Sequence, residues 1–159
     1  MQNFTIRRPR ADECAHMTAL CLASKQSLGY DDKFMAMCVD ELSVTPERLS
    51  THEFWVYDEG GTIFGLVCLA RKGETQEAEI KSFFIDAKQR GSGIGSKLWN
   101  KVLERCHELK IKRLHLDSEP LSAGFYEKLG FKTIGGVPSG SIPNRVLPLM
   151  ELKLLRKET

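Results

Sequence analysis

The 159-residue sequence lacks both a long hydrophobic run and a concentration of charge of one sign. No stretch approaches the roughly 20 consecutive apolar residues of a membrane-spanning helix, and the N-terminal MQNFTIRR has no apolar signal-peptide core. The 23 basic and 21 acidic residues are spread along the chain and leave a formal net charge of +2. Without a basic arm, a nucleic-acid partner is not expected. We expect a cytoplasmic protein with no membrane partner.

Cysteine is too sparse and too scattered to build a framework. The five cysteines are an odd number, and they form neither a C-x-x-C motif nor a Cys/His pair at zinc-finger spacing. Neither disulfides nor a metal site is predicted, and we expect reduced, mostly buried side chains. A covalent intermediate on a cysteine is disfavoured, because Cys68 and Cys106 lie in apolar segments and His107 is turned away from Cys106 on a helix.

Periodicity in the N-terminal half predicts a strand, two helices and a hairpin. A strand over residues 4–8 ends at Pro9 and precedes a helix over residues 11–24. After a break at Gly29, Asp31 or Asp32 is expected to cap a second helix, and Pro46 to end this helical pair. The apolar face of that second helix is predicted to contain Phe34, Met35, Cys38, Val39 and Leu42. Two strands follow, over residues 54–57 and 63–69, joined by a turn at residues 58–61.

The C-terminal half continues as a mixed pattern. A strand over residues 78–86 runs into a glycine-rich segment, and a long helix follows it with an apolar face that includes Ile94, Leu98 and Val102. The remaining predicted elements are a strand over 114–117, a helix over 121–129 closed by Gly130, a strand over 131–134, a loop over 135–144 and a strand over 146–155. The order predicts a mixed α/β fold, and residues 1–159 have the size of a single domain.

The glycine-rich segment, QRGSGIGSKL at residues 89–98, is the most informative motif. Closely spaced glycines at the start of a helix let free backbone amides approach an anion such as a pyrophosphate. The spacing fits neither the Rossmann G-x-G-x-x-G nor the P-loop G-x-x-x-x-G-K-[ST] pattern. It has instead the form Arg90-x-x-Gly93-x-Gly95. Tight packing of a strand-to-helix turn is the alternative explanation.

This pattern resembles the acetyl-coenzyme A signature, Q/R-x-x-G-x-G/A, of the GCN5-related N-acetyltransferase (GNAT) superfamily. The resemblance extends to FID at residues 84–86 and to FYEKLGF at residues 125–131, and covers residues 79–135. It implies a GNAT-like fold, with a central, mostly antiparallel sheet splayed at its middle and about four flanking helices. It also implies transfer of an acetyl group from acetyl-coenzyme A (acetyl-CoA) to a primary amine of a small molecule or protein, by direct attack in a ternary complex and without a metal. A homodimer is a further expectation.

The same resemblance assigns residues to the coenzyme. Main-chain groups of Phe84 and Ile85 are expected to pair with the pantetheine arm like an added strand. The pyrophosphate is expected to lie among Arg90, Gly91, Ser92, Gly93, Ile94, Gly95 and Ser96. Many family members have asparagine where this chain has Glu119, and an ionised carboxylate accepts but cannot donate a hydrogen bond. Ser122 is expected to compensate.

Two residues are implied in the chemistry. Glu79, eleven residues before Arg90, resembles in position the catalytic glutamate of the histone acetyltransferase branch, and we expect it to act as a base, directly or through a water. Its alternative role is a solvated carboxylate balanced by Lys81 on the same strand face. Tyr126 is expected to approach the coenzyme sulfur as a general acid or an orienting group. Its alternative role is aromatic packing, which Phe125 would serve equally.

The acceptor amine is not identified by the sequence. The resemblance places its cleft between residues 25–40 and 136–145, where Asp31, Asp32 and Asp40 either attract a cationic amine or cap helices. Two other functions fit the motif: a GNAT-like module that binds an acyl-CoA without turnover, and a phosphate site for an ordinary nucleotide.

Overall fold

The computed structural model describes residues 3–154, and a seven-stranded sheet runs through them. The strands are β1 Phe4–Arg7, β2 Glu53–Glu59, β3 Thr62–Arg71, β4 Glu77–Ile85, β5 Arg113–Asp117, β6 Lys132–Pro138 and β7 Val146–Lys153. Their order across the sheet is β1-β2-β3-β4-β5-β7-β6, and among these strands β4 and β5 form the single parallel pair. The predicted mixed, mostly antiparallel fold is confirmed.

Helices cover both faces of this sheet. They are α1 Cys14–Gln26, α2 Asp32–Leu42, α3 Pro46–Thr51, α4 Ile94–Leu109 and α5 Ala123–Lys128. Asp31 caps α2, as predicted, by accepting a hydrogen bond from the Phe34 amide at 2.8 Å. Pro46 does not end the helical region but begins α3. Thr45 caps this turn, and proline suits the first helical position because that amide has no intrahelical partner.

Other features of the structure also differ from the predictions. The strand predicted over 131–134 continues to Pro138, because the backbone of residues 135–138 pairs with β7 across a register shift after Thr133. Val39 is 41% exposed rather than part of the apolar face of α2, since Met35, Cys38 and Leu42 already fill that face. The last strand ends at Lys153, and Leu155 lies outside the described residues.

Strands β4 and β5 pair over only three residues, from Glu77 opposite Arg113 to Glu79 opposite His115. Just beyond, β4 carries a bulge, because Cys68 pairs with Ser82 and Leu69 pairs with Ile80, which leaves Lys81 as an extra residue. The two strands then part. The sheet is therefore splayed at its middle, as the resemblance implied.

The bulge also exchanges the two faces of β4. Before it, Ala78 and Ile80 lie in the core beneath α4; after it, Phe83 and Ile85 pack against that core. Phe84 packs instead against the core formed with α1 and α2 on the opposite face. Without the extra residue, simple alternation would have placed Phe84 beneath α4.

Gly65 on β3 lets the start of α4 approach the sheet closely. A Cβ atom there would lie 2.9 Å from Ile94 Cγ2, 3.0 Å from Ile85 Cδ1 and 3.1 Å from Leu98 Cδ1. These distances are shorter than ordinary carbon contacts, so any larger residue would push the helix outward. The small residue thus positions the N-terminus of α4 over β3.

We expect Gly65→Ala to lower the free energy of unfolding by about 1–3 kcal/mol, because it overpacks the α4 contact. Gly124→Ala is the matched control, since Gly124 lies in α5 and a Cβ atom there would have no neighbour within 4 Å. That variant should be neutral or up to about 1 kcal/mol more stable, from helix propensity. Urea denaturation monitored by circular dichroism measures both. Equal effects of the two substitutions would contradict the close approach at Gly65.

Candidate active site

A cavity of about 700 Å³ occupies the gap where β4 and β5 part. The diverging half of β4, the glycine-rich segment, the end of β5 and α5 form its walls, and residues of α1 and α2 close its other side. Most residues that the sequence assigned to the site line it. They are Phe84, Ile85, Arg90, Gly91, Gly93, Ile94, Gly95, Ser96, Ser122 and Tyr126.

Two assigned residues are not on the cavity wall. The Ser92 hydroxyl donates to the Gln89 carbonyl oxygen within the loop. Glu79 lies in the last paired register before the strands part, and its Oε1 is 3.3 Å from Nζ of Lys81. Lys81 itself reaches the wall. Glu79 is therefore adjacent to the cavity rather than inside it.

The N-terminus of α4 offers an anion site at one end of the cavity. The first ladder bond of the helix runs from the Lys97 amide to the Gly93 carbonyl at 3.1 Å. The amides of Gly93, Ile94, Gly95 and Ser96 precede that bond, so they have no partner within the helix. Gly93 has φ 89°, in the left-handed region that favours glycine. These amides and the positive helix end together suit a phosphate group.

Ser24 joins this loop to α1 and to β4. Its buried hydroxyl donates to the Ile85 carbonyl at 2.9 Å, and Nη2 of Arg90 donates to the Ser24 carbonyl at 3.0 Å. The guanidinium of Arg90 is thus anchored on the last turns of α1 while it borders the cavity. The sequence did not single out Ser24, because its role depends on a contact 61 residues away along the chain.

The free edge of β4 presents main-chain groups to the gap. The Asp86 amide donates to the Phe64 carbonyl at 2.8 Å, so the main-chain groups of Phe84, two residues earlier, also point toward β3. Those of Phe83 and Ile85 alternate to the opposite edge. The geometry therefore favours Phe83 over Phe84, beside Ile85, as a main-chain partner for a ligand in the gap. Phe84 contributes its side chain to the wall.

Tyr126 is held in an aromatic cluster on the cavity wall. Its ring meets those of Phe83, Phe125 and Phe131 edge to face, with centroid separations of 6.4, 5.2 and 5.8 Å. Such contacts fix the orientation of the ring and so the direction of the hydroxyl. Burial raises the pKa of Tyr126 above its ordinary value, so the phenol is protonated at neutral pH.

Three loops meet on the wall of the cavity through Glu119. Its carboxylate accepts hydrogen bonds from the Tyr30 hydroxyl, the Leu121 amide and, at 2.7 Å, Nη2 of Arg145. The Arg145 guanidinium lies over the rings of Tyr30 and Phe34, 5.1 and 4.9 Å from their centroids. We call Tyr30, Glu119 and Arg145 the loop clasp. It explains the departure from asparagine, because here the side chain at 119 serves as an ion-pair acceptor.

Asp117, which was not predicted from the sequence, is also on the wall. It is the last residue of β5, two residues beyond the last pairing of that strand with β4, and it is exposed. Partial desolvation, followed by the charge of Glu79, raises the pKa of the Asp117 carboxyl. A polar residue closing an apolar strand was the available signal.

Three of the buried cysteines are poor nucleophiles. Cys21, Cys38, Cys68 and Cys106 are buried, as expected, and burial raises the pKa of Cys21, Cys68 and Cys106 to about 12. Their thiolate fraction at neutral pH is therefore very small. Within residues 3–154, no group of three or more His, Cys, Asp or Glu side chains is placed to hold a metal ion, and no helix is long and apolar enough to cross a membrane.

Comparison with known proteins agrees with this geometry. The sequence model of the acetyltransferase (GNAT) domain matches residues 21–139. The chain therefore belongs to the GNAT acetyltransferase family, a class of enzymes that use acetyl-CoA, as the glycine-rich motif predicted.

Individual relatives extend the comparison. N-acetylaspartate synthetase of Xenopus tropicalis is 30% identical over 101 residues, which are 62% of this chain and 37% of that protein. This chain thus spans little more than a third of that relative's length. The PaiA N-acetyltransferase of Thermoplasma acidophilum, solved with coenzyme A, superposes with a TM-score of 0.79 at 16% identity, covering 95% of this chain and 99% of that one. N-acetylglutamate synthase of Neisseria gonorrhoeae, solved with coenzyme A and N-acetyl-glutamate, superposes with a TM-score of 0.70 at 18% identity. This superposition covers 97% of this chain and 36% of that one. The two structures share the fold.

We expect Arg145→Met to lower the free energy of unfolding by about 1.5–3 kcal/mol, because it removes a charged hydrogen bond and leaves Glu119 half-buried. Glu119→Gln should cost less, since an amide oxygen can still accept from Tyr30 and Leu121. The double variant should fall short of the sum, as residues in one network couple. Urea unfolding of the four proteins measures the cycle. Additive effects would contradict the loop clasp.

Proposed function

We propose that this protein transfers the acetyl group of acetyl-CoA to a primary amine of a small molecule or a protein, by direct attack in a ternary complex. The observation that carries the proposal is the gap between β4 and β5, with free helix amides at one end and Tyr126 on its wall. The free helix amides, which suit an anion, and the Tyr126 hydroxyl, which can donate a hydrogen bond, therefore border the same cavity.

The residues present fit an acyl-CoA. The amides of Gly93, Ile94, Gly95 and Ser96 suit the pyrophosphate, with Arg90 and Gly91 beside them and Ser92 supporting the loop from within. The free edge of β4 suits the amides of a pantetheine arm, which would add to the sheet as a strand does. Phe83 and Ile85 supply the main-chain groups, Phe84 supplies apolar wall, and Ser122 also lines the cavity.

Tyr126 is proposed to donate to the coenzyme sulfur. A thiolate leaving group carries negative charge in the transition state, and a fixed phenol stabilises that charge. Because burial raises the pKa of Tyr126 above its ordinary value, full proton transfer from it is unfavourable and hydrogen bonding is its principal contribution.

Glu79 is proposed to serve the acceptor side. An amine arrives mainly as its ammonium at neutral pH, so a proton must leave before nitrogen can attack. Since Glu79 lies off the cavity wall and contacts Lys81, its action on the amine requires an intermediary, such as a water.

Free amino acids are the first acceptors to test. Two of the similar proteins, N-acetylaspartate synthetase and N-acetylglutamate synthase, are named after acetylated amino acids. A single domain, a homodimer, a cytoplasmic location and the absence of nucleic-acid and membrane partners stay predictions from the sequence.

The first prediction concerns the coenzyme. Acetyl-CoA and coenzyme A should raise the melting temperature, and ATP and NAD should not, because a ligand at about 100 times its Kd stabilises the native state by about 2.7 kcal/mol. Ser96→Asp should abolish the shift, since it sets a negative charge beside the pyrophosphate, while Ser96→Asn should retain part of it. Differential scanning fluorimetry measures both.

Ser96→Asp is a sharper probe than Gly93→Asp. An acidic residue in the first turn of α4 favours the helix, whereas any side chain at Gly93 strains a backbone at φ 89°. The ligand-free variant should therefore melt no lower than the wild type. Equal shifts with coenzyme A for wild type and Ser96→Asp would contradict the assigned anion site. Shifts with ATP or NAD but not with acetyl-CoA would favour an ordinary nucleotide.

The second prediction concerns Tyr126. We expect Tyr126→Phe to lower kcat by about a hundredfold with little change in melting temperature, because the hydroxyl is lost and the ring packing stays. Steady-state assays that follow released thiol with Ellman's reagent measure kcat. Phe125→Leu is the control for aromatic packing and should lower the melting temperature more than kcat. An unchanged kcat in Tyr126→Phe would leave Tyr126 a packing residue.

Retained coenzyme binding without turnover on any amine would favour the non-catalytic acyl-CoA module.

A further inference from the structure

Three carboxylates line the acceptor end of the cavity, and two of them already have partners. Glu119 accepts from the Tyr30 hydroxyl, the Leu121 amide and Arg145. Glu41 on α2 accepts from the Ser141 hydroxyl at 2.7 Å. The third is Asp117. In the part of the chain that the structure describes, its side chain makes neither an ion pair nor a hydrogen bond.

The position of Asp117 suits contact with a ligand. Leu114 and Leu116 point into the core beneath α4. Because side chains alternate along a strand, the side chain of Asp117 points to the opposite face of the sheet. Its main chain is held by pairing with Leu149 on β7. The carboxyl thus projects toward the α2 side from a rigid strand end, at the mouth of the gap. Tyr126 belongs to the core on the α4 side.

Charged groups around Asp117 come from three elements. Glu79 and Lys81 face it from β4, His115 precedes it on β5, and Glu41 faces it from α2. The Lys81 ammonium lies 3.3 Å from the Glu79 carboxylate, so these two opposite charges partly offset each other near Asp117. Partial desolvation and the charges of Glu79 and Glu41 raise the pKa of Asp117, and His115 and Lys81 act in the opposite direction. The carboxyl remains exposed to solvent, and its place on the cavity wall without a partner leaves it free to bind an amine.

We propose that Asp117 binds the ammonium of the acceptor and takes its proton directly, with Glu79 as a positioning residue behind it. The inference rests on the proposed acetyltransferase function and identifies the group through which Glu79 acts. It also defines the acceptor's chemistry, since the amine binds as a cation at this carboxylate. Asp117 and Tyr126 then serve opposite faces of the gap, one for the amine and one for the sulfur.

The step balances as follows. One proton passes from the ammonium to the Asp117 carboxylate, which leaves a neutral amine. The nitrogen lone pair forms the N–C bond to the thioester carbon, and the C–S bond breaks with its electron pair on sulfur. The second proton of the nitrogen goes to the sulfur, assisted by the Tyr126 hydrogen bond, and Asp117 returns its proton to solvent. The products are an N-acetyl amine, coenzyme A and one proton.

The pH dependence of kcat/KM tests the proposal. The probes are L-aspartate, L-glutamate, putrescine and a peptide with a free N-terminus, each with acetyl-CoA. For the wild type, kcat/KM should be constant at pH values between the pKa of Asp117 and the pKa of the amine. For Asp117→Asn, kcat/KM should be about a hundredfold lower at pH 7. It should then rise about tenfold per pH unit up to the pKa of the amine, because only the neutral amine reacts in this variant. A wild-type profile in Asp117→Asn would overturn the proposal.

Matched variants separate Asp117 from its neighbours. Glu104→Gln, at an exposed carboxylate of α4 that does not line the cavity, should leave the profile unchanged. Glu79→Gln should move the acid limb of the profile to lower pH without removing the plateau, as expected of a positioning residue. If Glu79→Gln alone shows the tenfold rise per pH unit, Glu79 contacts the amine and the proposal fails.

A measurement without an acceptor keeps the proposal testable if none of the probes reacts. Titration of ¹³C-aspartate-labelled protein by NMR, with Asp117→Asn to assign the signal, should show the Asp117 carboxyl titrating above the ordinary aspartate range. Glu79→Gln should lower that pKa. A carboxyl that titrates at or below the ordinary range would overturn the base role. Loss of the coenzyme A thermal shift would instead refute the proposed function, so the two failures are distinguishable.

Discussion

The parting of β4 from β5 is the constraint on which the rest of the structure depends. Parallel neighbours would normally share hydrogen bonds along their whole length, and here they share them over three residues. The extra residue at Lys81 bends β4 away and exchanges its faces. An open sheet edge is costly when it stays unpaired in a protein interior, so it is suited to an extended ligand that restores the missing bonds.

Everything that borders the gap is held by contacts made elsewhere. Gly65 sets the height of α4 over the sheet, and Ser24 fixes Arg90 and the Ile85 carbonyl. The loop clasp joins three loops on the cavity wall through Glu119. Binding groups therefore sit on a scaffold that loses little conformational entropy when a ligand arrives. The proposed chemistry divides along the same line, with the amine on the α2 side and the sulfur on the α4 side.

Much of the fold was predictable because local physics and periodicity agree. The short apolar runs of β2 and β3, the apolar face of α4 and the cap at Asp31 are all properties of short segments. Predictions were wrong where a residue type is compatible with two different local structures. Proline ends some helices and begins others, and Pro46 begins one because Thr45 caps it. Likewise, Gly135 and Gly136 suggested a loop, yet pairing with β7 keeps them in a strand.

The sequence by itself determined the family, and it predicted the glycine-rich loop and the tyrosine as site residues, because each depends on residue types at fixed spacing within one segment. Only the tertiary structure decided which groups face the gap. It placed Glu79 off the wall and Asp117 on it, favoured Phe83 over Phe84 at the free edge, and paired Glu119 with Arg145. The physical reason is that these outcomes follow from a bulge, a strand register and contacts between distant loops, and none of these is encoded by the spacing of neighbouring residues.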